Sequence, residues 1–147
     1  MHMPVNTRSA RSADLPAIVA LLKECKLPTD DLTEGVLSTF RVAEAAGQFV
    51  GVAGFEPSGK DGLLRSLAVA ASHRGSGLGA RLVAECEDRA REAGLQSLYL
   101  LTTTADVFCR RLGYRDVPRE TVPAAIAGHP QFRGLCPASA KCLHKVL

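Results

Sequence analysis

The stretch from residue 63 to residue 93 constrains the fold more than any other: an aliphatic run, three closely spaced glycines, then a helix with one apolar face. Leu63-Leu64-Arg65-Ser66-Leu67-Ala68-Val69 is short and strand-like. Leu78, Leu82, Val83, Cys86, Ala90 and Ala93 recur at three- and four-residue intervals, which predicts a helix buried along one side. Between them lies Arg74-Gly75-Ser76-Gly77-Leu78-Gly79. The glycines leave the backbone uncrowded, so several amides can turn toward one point. The first N–H groups of a helix have no intrahelical acceptor, and the helix dipole adds partial positive charge there. An anion, above all a pyrophosphate, is predicted at residues 74–79.

Nucleotide-type loops are told apart by the residues after their glycines. A P-loop ends in Gly-Lys followed by a hydroxyl residue, and nothing of the kind comes after Gly79. Gly75-x-Gly77-x-x-Ala80 fits a loose dinucleotide fingerprint, but Ala70 to Arg74 separate it from its strand and the unit does not open the fold. Arg74-x-x-Gly77-x-Gly79 resembles the acetyl-CoA signature of the GNAT superfamily of N-acetyltransferases. A second segment, Ala105-Asp106-Val107-Phe108-Cys109-Arg110-Arg111-Leu112-Gly113-Tyr114, resembles that family's helix ending in Leu-Gly-Phe/Tyr. The two stand in the family's order and at its spacing, and the resemblance covers nearly the whole chain. It implies an α/β fold in a single domain over residues 1–147. Its sheet would be mixed, mostly antiparallel, with six to seven strands splayed at the acetyl-CoA site and flanked by helices.

Bulk properties agree. A chain of 147 residues buries roughly 70% of its unfolded surface, enough for one core. The formal charge of +3 is small and dispersed, which argues against a nucleic-acid partner and suits an anionic small molecule. No apolar run approaches the roughly 20 residues of a membrane span. Arg8 and Arg11 precede no apolar stretch of the signal-peptide kind, so a cytoplasmic protein is expected. Cys25, Cys86, Cys109, Cys136 and Cys142 are odd in number and lack Cys-x-x-Cys spacing, against a disulfide framework or a zinc site. Cys25 and Cys86 read as core residues on helix faces.

Along the chain, the patterns predict strands over 5–10, 40–45, 48–55, 63–69, 97–103, 114–117 and 138–147. Helices are predicted from residue 15 to about 25, and over 30–39, 77–93 and 105–112, with one or two helical turns over 121–127. Ala46-Gly47 reads as a hairpin turn, residues 59–62 as a second turn, and Gly94 as a helix stop.

The resemblance implies specific roles. Backbone groups of Leu67 and Val69 would contact the pantetheine arm of acetyl-CoA, one amide polarising the thioester carbonyl. Arg74, Gly75, Gly77, Leu78 and Gly79 would hold the pyrophosphate. Where many members carry a tyrosine after the helix aromatic, this chain has Cys109 after Phe108. A thiol with an ordinary pKa near 8.5 can return a proton to the CoA thiolate, so Cys109 is the candidate acid, with solvent as the alternative. The strand position that carries glutamate in some members is Leu63, so a general base there is missing, and Asp30, Asp31 and Glu34 border the acceptor region without a decided role. Tyr114 reads as packing, and no metal is expected, since His129 and His144 have no ligand spacing.

Arg65 alternates with Leu63, Leu67 and Val69, which predicts one shared strand face. On that face it suits a substrate carboxylate gripped through two parallel hydrogen bonds, or else a salt bridge to a neighbouring acid. The chain also resembles the arsenic-resistance branch of the superfamily, through Leu101-Thr102-Thr103-Thr104-Ala105, Pro123-Ala124-Ala125-Ile126 and Phe132-x-x-Leu135-Cys136-Pro137-Ala138-Ser139-Ala140. That resemblance implies an amino-acid-like acceptor bearing an anion, such as phosphinothricin or arsinothricin. The alternatives are another amine, a CoA-binding module without turnover, and an arsenite sensor using Cys136 and Cys142. Dimers are common in the superfamily, and the sequence leaves the oligomeric state open.

Overall fold

In a computed structural model, residues 4–135 and 139–147 are described. The chain opens with β1 (Asn6–Ser9), a 3-10 turn and α1 (Leu15–Glu24), and a second 3-10 helix (Glu34–Thr39) leads into β2 (Arg41–Ala45). Then come β3 (Gln48–Ser58), β4 (Asp61–Val69), α2 (Leu78–Glu92), β5 (Ser97–Thr102), α3 (Asp106–Arg111), β6 (Arg115–Asp116), α4 (Ala124–Ala127) and β7 (Lys141–Val146). The seven strands form one sheet in the order β1-β2-β3-β4-β5-β7-β6. Every neighbouring pair is antiparallel except β4 and β5, which run parallel because α2 carries the chain back across the sheet.

Strand alternation sorts the side chains into two cores. On β2, Val42 joins Ile18, Leu22, Phe40 and Val52 beneath α1, while its neighbour Ala43 joins Leu82, Val83, Cys86 and Ala90 of α2. The apolar stripe of α2 is therefore buried as its spacing predicts. Ala46 (φ 53°) and Gly47 (φ 78°) make the two-residue turn between β2 and β3, both left-handed as a strand-matched hairpin requires.

Four expectations need correction. β3 runs to Ser58 and β4 starts at Asp61, because Glu56, Pro57 and Ser58 pair with Leu63, Gly62 and Asp61. Pro57 is tolerated because β2 ends its pairing at Ala53, leaving β3 an open edge beyond it. The helix expected over 30–39 is only a 3-10 helix at Glu34–Thr39, since Thr33 is extended (φ −132°). The closing strand starts at Lys141; Ala138, where it was expected to begin, lies outside the described residues.

The fourth lies in β4, beside the site. Val52 faces Ala68, yet Gly54 faces Arg65, so β4 carries one extra residue there. Ser66, at φ 59°, is the bulge. It reverses the alternation: Leu64 sits in the core under α2, and beyond the bulge Leu67 and Val69 pack on that same core while Ala68 lies under α1. Leu63 and Arg65 therefore do not share a face with Leu67 and Val69.

Candidate functional site

After Val69 the chain makes a 3-10 turn (Ala71–His73) and enters the glycine loop. Gly75 (φ 76°) and Gly77 (φ 85°) are both left-handed, and a Cβ on either would meet nothing within 4 Å. Glycine is needed at these positions for backbone conformation rather than for room. Gly77 is the N-cap of α2 and offers no side chain to the helix start. The first intrahelical bond runs from Arg81 N–H to Gly77 O (3.0 Å), which leaves the amides of Leu78, Gly79 and Ala80 directed out of the helix end. An open cavity of about 600 Å³ lies against this loop, with Ser72, His73 and Arg81 on its walls. Arg74 folds back: its Nε donates to Val69 O at 3.0 Å, and a terminal nitrogen lies 3.6 Å from Cys25 Sγ. Cys25 is thus at the cavity wall beyond α1, half-buried against the edge of the core.

A second cavity opens where the sheet splays. β4 and β5 pair only over Asp61↔Ser97, Gly62↔Leu98 and Leu63↔Tyr99, although both strands continue. β7 takes β5 along its whole length, and β3 takes β4, so the two halves part. The gap holds about 390 Å³ and is walled by residues 64–69, residues 100–102, Cys25 and Cys109. Ala70 N–H donates to Val50 O (2.9 Å), which sets the phase of pairing. Ala70 and Ala68 turn their backbone groups to β3, so those of Val69 and Leu67 turn into the gap. Arg74 borders both cavities. A third, of about 460 Å³, adjoins the gap at Leu27, Leu101, Thr102 and Thr104 and includes Asp30.

On the other face of β4, Arg65 is enclosed, its side chain 0% exposed. Its two terminal nitrogens reach both oxygens of Asp31, one at 2.7 Å, and one of those nitrogens also donates to Glu56 Oε2 at 2.7 Å. Its Nε donates to Ser66 Oγ at 3.0 Å. Of the two roles open to Arg65, the salt bridge is thus present. His129 completes the group, with Nε2 at 2.7 Å from Glu56 Oε2. Gln131 N–H donates to His129 Nδ1 (3.1 Å), which assigns the proton of the neutral ring to Nε2, donating to Glu56. Burial alone would raise the Glu56 carboxyl; hydrogen bonds from His129 and Arg65 outweigh it and hold the group below its ordinary range.

Ligand-type atoms of Asp31, Glu56 and His129 lie within 4.8 Å of one another, yet the arrangement does not suit a metal ion. The Arg65 guanidinium already supplies the positive charge between the two carboxylates. The His129 tautomer presents a proton, not a lone pair, on that side. Sequence reasoning missed this group. The pairing of Gly54 with Arg65 places Glu56, two residues on, close by, but neither Glu56 nor His129 carried a signal in the sequence.

Cys109 is buried on the gap wall, and burial, reinforced by Asp106, pushes its thiol up to about 11. The ordinary pKa assumed for it from sequence does not hold. Phe108 covers the first turn of α2, its ring 3.2 Å from where a Cβ on Gly79 would stand. Tyr114 is buried and donates to Glu87 Oε2 at 2.9 Å, with Lys145 bonded to the same carboxylate and to Leu112 O. It anchors the end of α3 as packing. Leu63 is buried at 1% exposure, and Glu34 is exposed. Cys142 is buried, its thiol pushed up to about 11 by burial, while Cys136 lies outside the described residues. Among the described residues, no helix is long and apolar enough to cross a membrane.

Residues 37–116 match the acetyltransferase (GNAT) domain family. Among curated proteins, an amino-acid acetyltransferase of Pseudomonas paraeruginosa is 31% identical over 105 residues, which is 70% of this chain and 24% of that protein. The chain spans about a quarter of the length of such relatives. Among solved structures, N-acetylglutamate synthase from Neisseria gonorrhoeae, complexed with coenzyme A and N-acetyl-glutamate, superposes with a TM-score of 0.84 at 25% identity, covering 100% of this chain and 36% of that one. Rv2747 from Mycobacterium tuberculosis, in complex with CoA and NLQ, has a TM-score of 0.80 at 23% identity and covers 97% of this chain and 99% of that one; it shares the fold.

Proposed function

This chain belongs to the GNAT acetyltransferase domain family, and on that premise we propose that it transfers an acetyl group from acetyl-CoA to the amine of a small amino-acid-like acceptor. The observation that carries the reading is that the first two cavities meet at one residue, Arg74. On one side of it lies a helix end with outward amides, and on the other a gap walled by Leu67 and Val69. The residues fit the cofactor: Gly75, Gly77, Leu78 and Gly79 present backbone to an anionic group, and backbone groups of Leu67 and Val69 face the gap. When bound, acetyl-CoA supplies the activated thioester that the acceptor's amine attacks.

The chain's own work is placement and polarisation. The inward amide of Leu67 or Val69 donates to the oxygen on which negative charge develops. Holding both reactants in one gap removes much of the entropic barrier. The third cavity, on the Asp30 side, is the acceptor's approach. We assign the proton returned to the departing sulfur to solvent rather than to Cys109. A thiol pushed up to about 11 by burial gives up its proton reluctantly, whereas water reaches the open gap freely.

The acceptor class follows from the relatives: amino-acid acetyltransferases and a synthase holding N-acetyl-glutamate. Within that class we propose an acceptor with a carboxylate or phosphinate-like anion, assigned to Arg65; the bulge removes the shared strand face that first suggested this, and the remaining support is that Arg65 is among the residues that wall the gap. Glutamate, phosphinothricin and arsinothricin are the members to test, the last two because of the resemblance to the arsenic-resistance branch. CoA release from acetyl-CoA is measured with these three, a polyamine and a peptide N-terminus. Turnover confined to the amino-acid-like acceptors is expected. Acetyl-CoA binding without turnover on any amine would make the chain a binding module instead.

A further inference from the structure

We propose that Asp31 sits in the seat of the acceptor's carboxylate on Arg65 and is displaced from it when the acceptor binds. The inference rests on the assignment of an anionic acceptor to Arg65 made above. The first observation is the form of the contact. Both terminal nitrogens of Arg65 meet both oxygens of Asp31, the fork-to-fork arrangement that a free carboxylate takes on a guanidinium.

The second observation is that Arg65 has two other anchors. Its Nε is held on Ser66 Oγ and one terminal nitrogen on Glu56. Glu56 is tied in turn by His129, whose ring is fixed by Gln131 N–H. One side of the guanidinium is thus fastened to the sheet, and the other is closed by Asp31, which shares one terminal nitrogen with Glu56 and lies 3.8 Å from His129 Nε2.

The third is where Asp31 comes from. It lies between α1 and the 3-10 helix at Glu34–Thr39, outside both. The described backbone bonding near it is a turn, Leu32 N–H to Thr29 O at 3.0 Å. Asp30, next to it, faces the third cavity, which adjoins the gap. Moving this connection outward takes Asp31 off Arg65 without breaking a strand pair or a turn of α1.

Charge decides who can make the exchange. A neutral ligand that expelled Asp31 would leave a buried guanidinium with one acidic partner fewer, which is costly. A carboxylate replaces one anion with another and leaves the balance unchanged. Asp31 therefore works as a specificity residue: an acceptor without an anion does not open the seat. It also lowers the acceptor's apparent affinity by the fraction of molecules in which the seat is open.

The test is Asp31→Ala, with sodium acetate as probe and sodium chloride at equal ionic strength as control. Acetate is expected to raise the melting temperature of the variant in a saturable way, and to do the same in the wild type only at about tenfold higher concentration. The KM for glutamate is expected to fall about tenfold if Asp31 holds the seat nine-tenths of the time, with the KM for acetyl-CoA unchanged. A variant that acetate does not stabilise beyond chloride overturns the proposal, as does a glutamate KM that stays or rises. Asp31→Asn, which keeps the shape and one acceptor oxygen, carries the same test if the alanine variant fails to fold. Acetate stabilisation without turnover on any amine would leave the exchange standing and remove the acetyl-transfer reading. Turnover with a glutamate KM insensitive to Asp31 would do the reverse.

Discussion

Glu56 and Cys109 show how burial alone misjudges a titratable group. Both are withdrawn from water; one ends below its ordinary pKa and the other above, because only Glu56 has donors to its charged form. The sign for stability follows. An unfolded Glu56 titrates near 4.5, and the folded group titrates lower, so its contribution is full above pH 4.5 and drains away as the pH falls through the folded value. A melting curve from pH 7 to pH 3 should therefore drop steeply below about pH 4.5 in the wild type. Glu56→Gln should start lower and fall less over that interval; parallel curves would remove Glu56 from the account. Cys109 is a wall of the gap in this account. Cys109→Ala should hold kcat within about threefold, whereas a loss of a hundredfold or more, the scale of general acid catalysis, would make the thiol the proton donor.

At the level of elements, the bulge in β4 matters most. Ser66 holds a left-handed conformation that most side chains avoid, and through it the strand turns Leu67 and Val69 toward the gap while keeping Arg65 on the opposite face. A branched residue tolerates that conformation poorly. Ser66→Val should cost about 1–3 kcal/mol in chemical unfolding and weaken acetyl-CoA binding along with it. An unchanged cofactor affinity in a folded variant would mean the bulge does not shape the site. Much of the architecture was legible in local pattern: the α2 stripe, the Ala46-Gly47 turn and the succession of strands along the chain. The bulge was not. Leu63 to Val69 alternates without a break in sequence, and only pairing with β3 shows the extra residue. The glycine loop was equally legible, since its chemistry is local. The group around Arg65 was not, because Asp31, Glu56 and His129 reach it from three separate segments, and sequence spacing carries no trace of that meeting.

At the level of the whole molecule, one topological fact makes the site. A sheet of seven strands is continuous at one end of β4 and β5 and open at the other, and α2 starts beside the opening. The fold thus brings a helix end with outward amides, a backbone-lined gap and a buried guanidinium together at the centre of the sheet. That the loop and the gap form one acetyl-CoA site is the central claim. The direct measurement is acetyl-CoA affinity by titration calorimetry, comparing the wild type with Gly77→Glu. Gly77 holds φ 85° with open space around it, so the substitution adds a strained residue and a negative charge at the helix end. The wild type should bind, and the variant should lose at least about a hundredfold in affinity, from repulsion added to lost backbone geometry. Equal affinity in the two proteins, both folded, would contradict that claim.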